Sequence, residues 1–370
     1  MHSSISNSNQ RLPHLAWWTI LLGAVLVWAA FVAVMELRLA AKGFHRTVID
    51  SEALWQAERA RAQTLGERAL IIVGGSRIQL GLNLEVLREL TGLEPVQLAI
   101  DGTPPLPVLE GLARDPMIGG TVLVDYYDHM LGPEGGNNRG REFEHRFEQS
   151  LATGWLLDYE QIEGYLSQRW RQALRSYADG ARPLTTLQMR ILGGTTPQYL
   201  VTLPDRSRWA DYQRVAMPDF YYQRVIRSLG KSEVRLPSGS TYEDLRRLLA
   251  SRIQQLQPLD ETVYMSQERL EYLESLVQAI QRRGGQVVFV VMPASGMVRE
   301  IEQRQFPRSR FWDRWTALTS THTVHFEDVP ALRDFVCPDG AHLDYRDQVR
   351  FTTALVVAAG LERRKKNSGM

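Results

Sequence analysis

From Leu15 to Met35 the chain runs for 21 residues without a charged side chain. As a helix rising 1.5 Å per residue, that run reaches about 31 Å, one bilayer hydrocarbon core. Backbone polar groups in lipid must be satisfied internally, so a single helix is the outcome open to such a run. Its apolar side chains occur all round rather than on one stripe, which argues against a buried helix of a soluble core. Trp17 and Trp18 fall at its start, where indole rings favour the headgroup level. The alternative is a cleavable signal peptide. The length of the run, and the lack of a small-x-small site leading into a polar mature start, stand against it. Residues 15–35 are therefore expected to form one transmembrane helix.

Orientation is contested within the sequence. Arg11 and the terminal amine precede the run, whereas Arg38, Lys42 and Arg46 follow it. The positive-inside rule then puts the bulk of the chain in the cytoplasm, and Glu36 changes that count little. The remaining length suffices for one large domain or two ordinary ones. With 43 basic against 42 acidic residues there is no global argument for nucleic-acid binding. The single cysteine, Cys337, excludes an intrachain disulfide framework.

Residues 1–14 are Ser/Asn-rich and expected to be disordered. Residues 36–66 form a juxtamembrane segment. Its helix starts at Asp50-Ser51-Glu52, places Leu54, Ala57 and Leu65 on one face, and stops at Gly66. Trp55 packs on the domain or lies near the lipid surface. From Ala69 onward strands and helices alternate: strand Ala69–Val73, helix Leu82–Leu90 ending at Gly92, strand Val96–Ile100, helix Leu106–Ala113, strand Thr121–Asp125. The pattern resumes with helix Glu268–Arg283, strand Gln286–Met292, strand Thr323–Phe326 and helix Val349–Leu361. Such alternation implies a parallel sheet with right-handed crossovers in an α/β domain spanning 67–361. Residues 130–265 interrupt it. They are dense in Arg and aromatics, show few strand signals, and read as a helical insertion with loops at Gly193-Gly194 and Leu203-Pro204-Asp205. The tail 362–370 carries the basic run Arg363-Arg364-Lys365-Lys366, a solvated helix end or a contact for anionic headgroups.

Two separated stretches carry chemistry. In Ile71-Ile72-Val73-Gly74-Gly75-Ser76-Arg77 a Ser follows an apolar strand and a tight glycine turn, at the edge where open α/β sheets place their sites. By itself that Ser would serve as a helix cap. In Cys337-Pro338-Asp339-Gly340-Ala341-His342-Leu343-Asp344 an Asp precedes a His by three residues. A Ser hydroxyl needs a base, an imidazole is one, and an Asp on the same turn can orient it. Asp339, His342 and Asp344 could instead form a metal site, but no second His or Cys cluster accompanies them. Asp125, Asp128 and His129 read most simply as a solvated loop, with a metal site as the alternative.

The order strand-Gly-Gly-Ser, strand-Asp-Gly, and a late Asp-x-x-His before the final helix resembles the SGNH/GDSL hydrolase superfamily, over about residues 67–130 and 265–361. The resemblance implies a flavodoxin-like three-layer sandwich with a parallel sheet. It implies Ser76 as nucleophile, Asp339 and His342 as its partners, and backbone N–H groups of Ser76 and Gly102 as an oxyanion hole. Arg77, Tyr126 and Tyr127 are the expected substrate contacts, and no cofactor or metal is implied. Two positions depart from the pattern. Gly75 stands where the Asp before the nucleophile belongs. The third block reads Val124-Asp125-Tyr126-Tyr127-Asp128-His129, without the Asn that would donate to an oxyanion. A Tyr hydroxyl could replace it; a carboxylate would repel the oxyanion unless turned away or protonated.

The anchor, the Ser/Asp-x-x-His kit and the altered third block together resemble membrane-anchored SGNH-like proteins of bacterial cell-envelope acylation. That likeness implies a single-pass inner-membrane protein with its domain on the extracytoplasmic side, against the charge count. Its implied partners are the bilayer, a multispanning acyltransferase and a glycan or exopolysaccharide, with no nucleic acid. Two functions follow as expectations: a serine esterase or O-acyltransferase, or a non-catalytic scaffold that holds a glycan or membrane partner. The insertion is expected to cover the site, with Trp155, Trp170, Tyr221 and Tyr222 as contact aromatics.

Overall fold

A computed structural model describes residues 14–132, 138–153, 159–178, 181, 198–230, 234 and 237–363. The N-terminal stretch before residue 14, Trp155, Gly193-Gly194 and the tail from residue 364 lie outside them. The chain divides into two units, residues 1–47 with 170–198, and residues 48–169 with 199–370.

The first unit is built on helix His14–Ala41. Its 28 residues extend about 42 Å. Among the described residues it is the one helix long and apolar enough to cross a membrane, with a mean hydropathy of 2.4 over its most apolar stretch. Trp18, Val27 and Phe31 are exposed on it, as suits lipid contact. It outruns the expected boundary at residue 35. Glu36 does not break it, because its carboxylate accepts the backbone N–H groups of Arg175 (2.7 Å) and Ser176 (3.0 Å). Leu39 packs with Ala178 and Ala181, and the helix ends just before Gly43.

The second unit holds a five-stranded, wholly parallel sheet. Its strands are β1 (Ala69–Val73), β2 (Glu94–Gln97), β3 (Thr121–Asp125), β6 (Gln286–Val291) and β7 (His322–His325), in the order β2-β1-β3-β6-β7. Every residue of β1 and β3 is buried, which requires cover on both faces and explains their continuous apolar runs. The chain steps one way from β1 to β2 and back across to β3. Right-handed crossovers therefore send helices Leu84–Thr91 and Leu106–Arg114 to opposite faces. The first packs with helix Tyr345–Ala358, the second with Gln267–Gln281.

Local details differ from the periodicity. The segment after β1 is two helices, Ser76–Gly81 and Leu84–Thr91, because the Asn83 side chain caps the second by accepting from Val86 N–H at 3.0 Å. β2 begins two residues earlier than expected, though its ladder continues as Leu98 N–H donates to Ile72 O and Ile100 N–H to Gly74 O, both at 2.9 Å. Helix Glu52–Leu65, capped by Ser51, buries Trp55, Gln56, Arg59 and Ala62 and leaves Ala57 exposed. Trp55 is fully buried and donates its indole N–H to Leu98 O at 2.9 Å, so it packs on the domain. Arg59 turns inward because Asp115 (2.9 Å) and Glu144 (3.2 Å) neutralise it.

The insertion is not purely helical. It includes an antiparallel hairpin, β4 (Leu200–Thr202) with β5 (Arg208–Ala210), whose three-residue strands are too short to register as a period. Arg206, at its turn, is buried. It donates to Gln97 O (2.6 Å) and Ala99 O (2.8 Å) and pairs with Asp50. Arg61 reaches Pro95 O at 2.9 Å. Helices Asp219–Ser228 and Tyr242–Gln254 follow, and their Val225, Leu249 and Ile253 pack against Val298, Ile301 and Ala341.

Candidate active site

β1 delivers Ser76 to the first position of a helix, with Gly75 rather than Ser76 in the capping place. The serine hydroxyl is therefore not consumed by the helix end. Its Oγ lies 2.7 Å from Nε2 of His342, and Nδ1 of His342 lies 2.8 Å from Oδ2 of Asp339. Residues 266 positions apart meet because the parallel sheet gathers β1 and the loop after β7 at one edge.

Asp339 is wholly buried. Its Oδ1 accepts the N–H groups of Ala341 (2.9 Å) and His342 (2.8 Å), a turn closed on itself. Its Oδ2, besides serving His342, accepts the Tyr212 hydroxyl at 3.3 Å and lies 3.2 Å from the Arg224 guanidinium. Burial would raise this carboxyl, but the bond to His342, the Ala341 N–H and Arg224 outweigh it and hold the group well below the usual carboxylate range. Burial lowers the His342 imidazole. Asp339 opposes that shift, while Arg224 and Arg77 add to it. The result is an imidazole held neutral, able to accept a proton at Nε2 while Nδ1–H faces Asp339.

A cleft of about 800 Å³ opens over Ser76 and His342. Gly102, exposed and at φ 68°, lines it in a left-handed conformation that a side chain would disfavour. Arg77, Tyr126 and Tyr127 also line it, but each is already engaged. Arg77 pairs with Glu302. Tyr126 is buried, edge-on to Trp312 with centroids 5.0 Å apart, and its hydroxyl faces Met265 Sδ. Tyr127 stacks on His129 (5.6 Å), which meets Phe306 (5.7 Å), which meets Tyr264 (5.9 Å), forming an aromatic wall.

Asp125 does not face the cleft as an oxyanion donor would. Fully enclosed beneath the turn that carries Ser76, it is pushed up by burial to about 7, while Arg77, the Tyr127 hydroxyl and the N–H groups of Gly75 and Ile78 oppose the rise. Asp128 lines the cleft and is likewise raised to about 7, by desolvation and by Glu302. Among the described residues no three His, Cys, Asp or Glu side chains group as a metal site. Burial pushes the Cys337 thiol up to about 12, so it is no competing nucleophile.

The insertion supplies groups that sequence reasoning missed. Tyr212 and Arg224 reach Asp339. Asn138, which lines the cleft, caps the following helix by accepting Arg141 N–H at 3.2 Å. Neither Tyr nor Arg at those positions belongs to a motif, so only the folded chain brings them to the triad. Tyr221 and Tyr222, expected as contact aromatics, sit elsewhere. Tyr221 accepts Met297 N–H at 2.8 Å, and Tyr222 stacks on Tyr242, so both belong to the apolar cluster that joins the insertion to helix Gly296–Gln305. Trp170 is exposed.

Compared with the models of known protein families the chain matches none, and no curated protein matches it either.

Proposed function

We propose that the chain is a membrane-anchored serine esterase or O-acyltransferase. The observation that carries this reading is the continuous chain Ser76 Oγ–His342 Nε2 and His342 Nδ1–Asp339 Oδ2, at 2.7 and 2.8 Å, opening into a cleft. His342 takes the Ser76 proton as Oγ bonds to the acyl carbon. The proton then passes to the departing alkoxide oxygen as its bond to the acyl carbon breaks. Water or a sugar hydroxyl gives its proton to His342, attacks the acyl-enzyme and frees Ser76, which recovers the proton. Backbone N–H groups of Ser76 and Gly102 are the proposed donors to the oxyanion.

The sheet order matches the flavodoxin-like order 2-1-3-4-5, which supports the SGNH-type likeness. The aromatic wall suits stacking on a sugar face, so an envelope glycan or exopolysaccharide is the proposed acceptor. The apolar N-terminal helix supports a single-pass anchor in the inner membrane. The extracytoplasmic side and a multispanning acyltransferase partner follow from the family resemblance. Asp125 at the third block, in place of an amide donor, is the observation that favours the second reading, a glycan-binding or partner-binding scaffold.

A fluorophosphonate reacts with an activated serine whatever its natural substrate. Purified full-length protein in detergent should label at Ser76, and Ser76→Ala should not label. Wild-type protein that stays unlabelled, while Ser76→Ala still impairs glycan acylation in cells, would shift the assignment to the scaffold.

A further inference from the structure

We infer that Tyr212 and Arg224 are positioning residues for Asp339, which makes the insertion a working part of the triad rather than a cover over it. The inference rests on the esterase reading above. The loop that carries Asp339 satisfies only Oδ1, through its own N–H groups. Oδ2 must hold His342, and the two further groups that fix it both come from the insertion, at 3.3 and 3.2 Å.

Charge balance gives Arg224 a specific task. Asp339 is wholly buried, and a buried carboxylate needs a compensating cation. Without Arg224 the nearest group able to become that cation is His342 itself. A protonated His342 cannot take a proton from Ser76. Arg224 carries the charge instead and leaves the imidazole free to act as a base.

The surroundings offer no ready substitute. Arg77, from the helix of Ser76, also faces His342, but its charge is met by Glu302. Cys337 stays a thiol. Tyr199 feels Asp339 and stays a phenol, as does Tyr212. Asp344, on the same loop, is occupied by Tyr212 N–H (2.9 Å) and Arg346 (2.8 Å). Arg224 and Tyr212 are themselves held. Val225 packs beside Ala341, the neighbour of His342, and Tyr212 packs against Phe220 at 6.0 Å.

The test is the rate of fluorophosphonate labelling of the full chain against pH, for wild type, Arg224→Gln, Arg224→Lys and Tyr212→Phe. Arg224→Gln should move the acid limb to higher pH. Labelling should be roughly tenfold slower near pH 6 and recover to within about twofold near pH 9. Arg224→Lys should restore the limb toward wild type, and Tyr212→Phe should slow labelling several-fold with less displacement of the limb. Equal loss at every pH in Arg224→Gln, or no loss, would overturn the inference. A second measurement is independent of activity: titration of the His342 ring by NMR, assigned with His342→Asn. If wild type does not label, the esterase reading fails, and this titration still decides. A higher His342 midpoint in Arg224→Gln upholds the charge-carrying role, and an unchanged midpoint refutes it.

Discussion

The hydroxyl of Tyr127 occupies the space that a Cβ on residue 75 would need. Gly75 has an extended backbone that any residue could adopt, so the requirement for glycine there is one of contact, not of conformation. The room that a side chain at residue 75 would fill, next to Ser76, is taken by a tyrosine that also lines the cleft.

That contact predicts a paired effect. Gly75→Ala should displace Tyr127 or the turn and reduce fluorophosphonate labelling by about tenfold or more, since small misplacements at a reacting group are costly. Adding Tyr127→Phe removes the clashing oxygen and should recover part of the loss. Additive losses in the double variant would disprove the steric account.

Asp339→Asn should preserve the fold by circular dichroism yet lower the labelling rate on the order of 10³- to 10⁴-fold, because an amide no longer selects the Nδ1–H tautomer of His342. A loss under tenfold would mean that Asp339 does not orient the base.

Asp125 predicts a pH-dependent difference in stability. Its carboxyl titrates near 7 in the fold against an ordinary 3.8, so the folded state binds more protons than the unfolded one between those values. The stability tied to that group is present below pH 4 and lost as pH rises through 7. Asp125→Asn has no proton to lose. It should exceed wild type in stability by on the order of 2–4 kcal/mol near pH 8, and the gap should close by about pH 4. Thermal melts of both proteins across that range check it; a gap that does not vary with pH rejects it.

Arg206→Ala should destabilise the domain by about 3 kcal/mol, since it removes the ion pair of Asp50, leaving that carboxylate to Gln79, and takes the donor from two buried carbonyls. Denaturant melts measure this directly, and a change within 0.5 kcal/mol (roughly the scatter of surface substitutions) would refute it.

For helix His14–Ala41, carbonate and high-salt washes should leave the full-length chain with the membrane fraction. Leu26→Arg, near its middle, should release a measurable share by opposing insertion. Complete release of wild type would refute a spanning anchor.

The strands were legible because a parallel sheet covered on both faces writes itself as unbroken apolar runs, as in Ala69–Val73 and Gln286–Val291. Ser76 was legible because it follows a strand and a glycine turn, and Asp339 with His342 because they stand three residues apart in one loop before helix Tyr345–Ala358. Tyr212 and Arg224 were not. Their relation to Asp339 is made by tertiary packing across more than a hundred residues, and neither carries a local signature. Hairpin β4–β5 escaped because three-residue strands have too few positions to show alternation. The inward face of helix Glu52–Leu65 was misread because Arg59 is buried by its pairing, which no hydrophobic pattern records.

Among the described residues β2 is the last strand of its sheet, bonded to β1 on one side. Since Leu98 N–H points toward β1, the alternating carbonyls of Pro95, Gln97 and Ala99 point the other way. Each of the three accepts from a guanidinium, Arg61 on the first and Arg206 on the other two. Pro95 has no N–H to offer, and Ala99 N–H is taken by the Gln97 side chain at 3.0 Å. A strand from another molecule would find little there to pair with, so this border of the sheet is closed to growth by strand addition. A protein partner must recognise side chains or another surface.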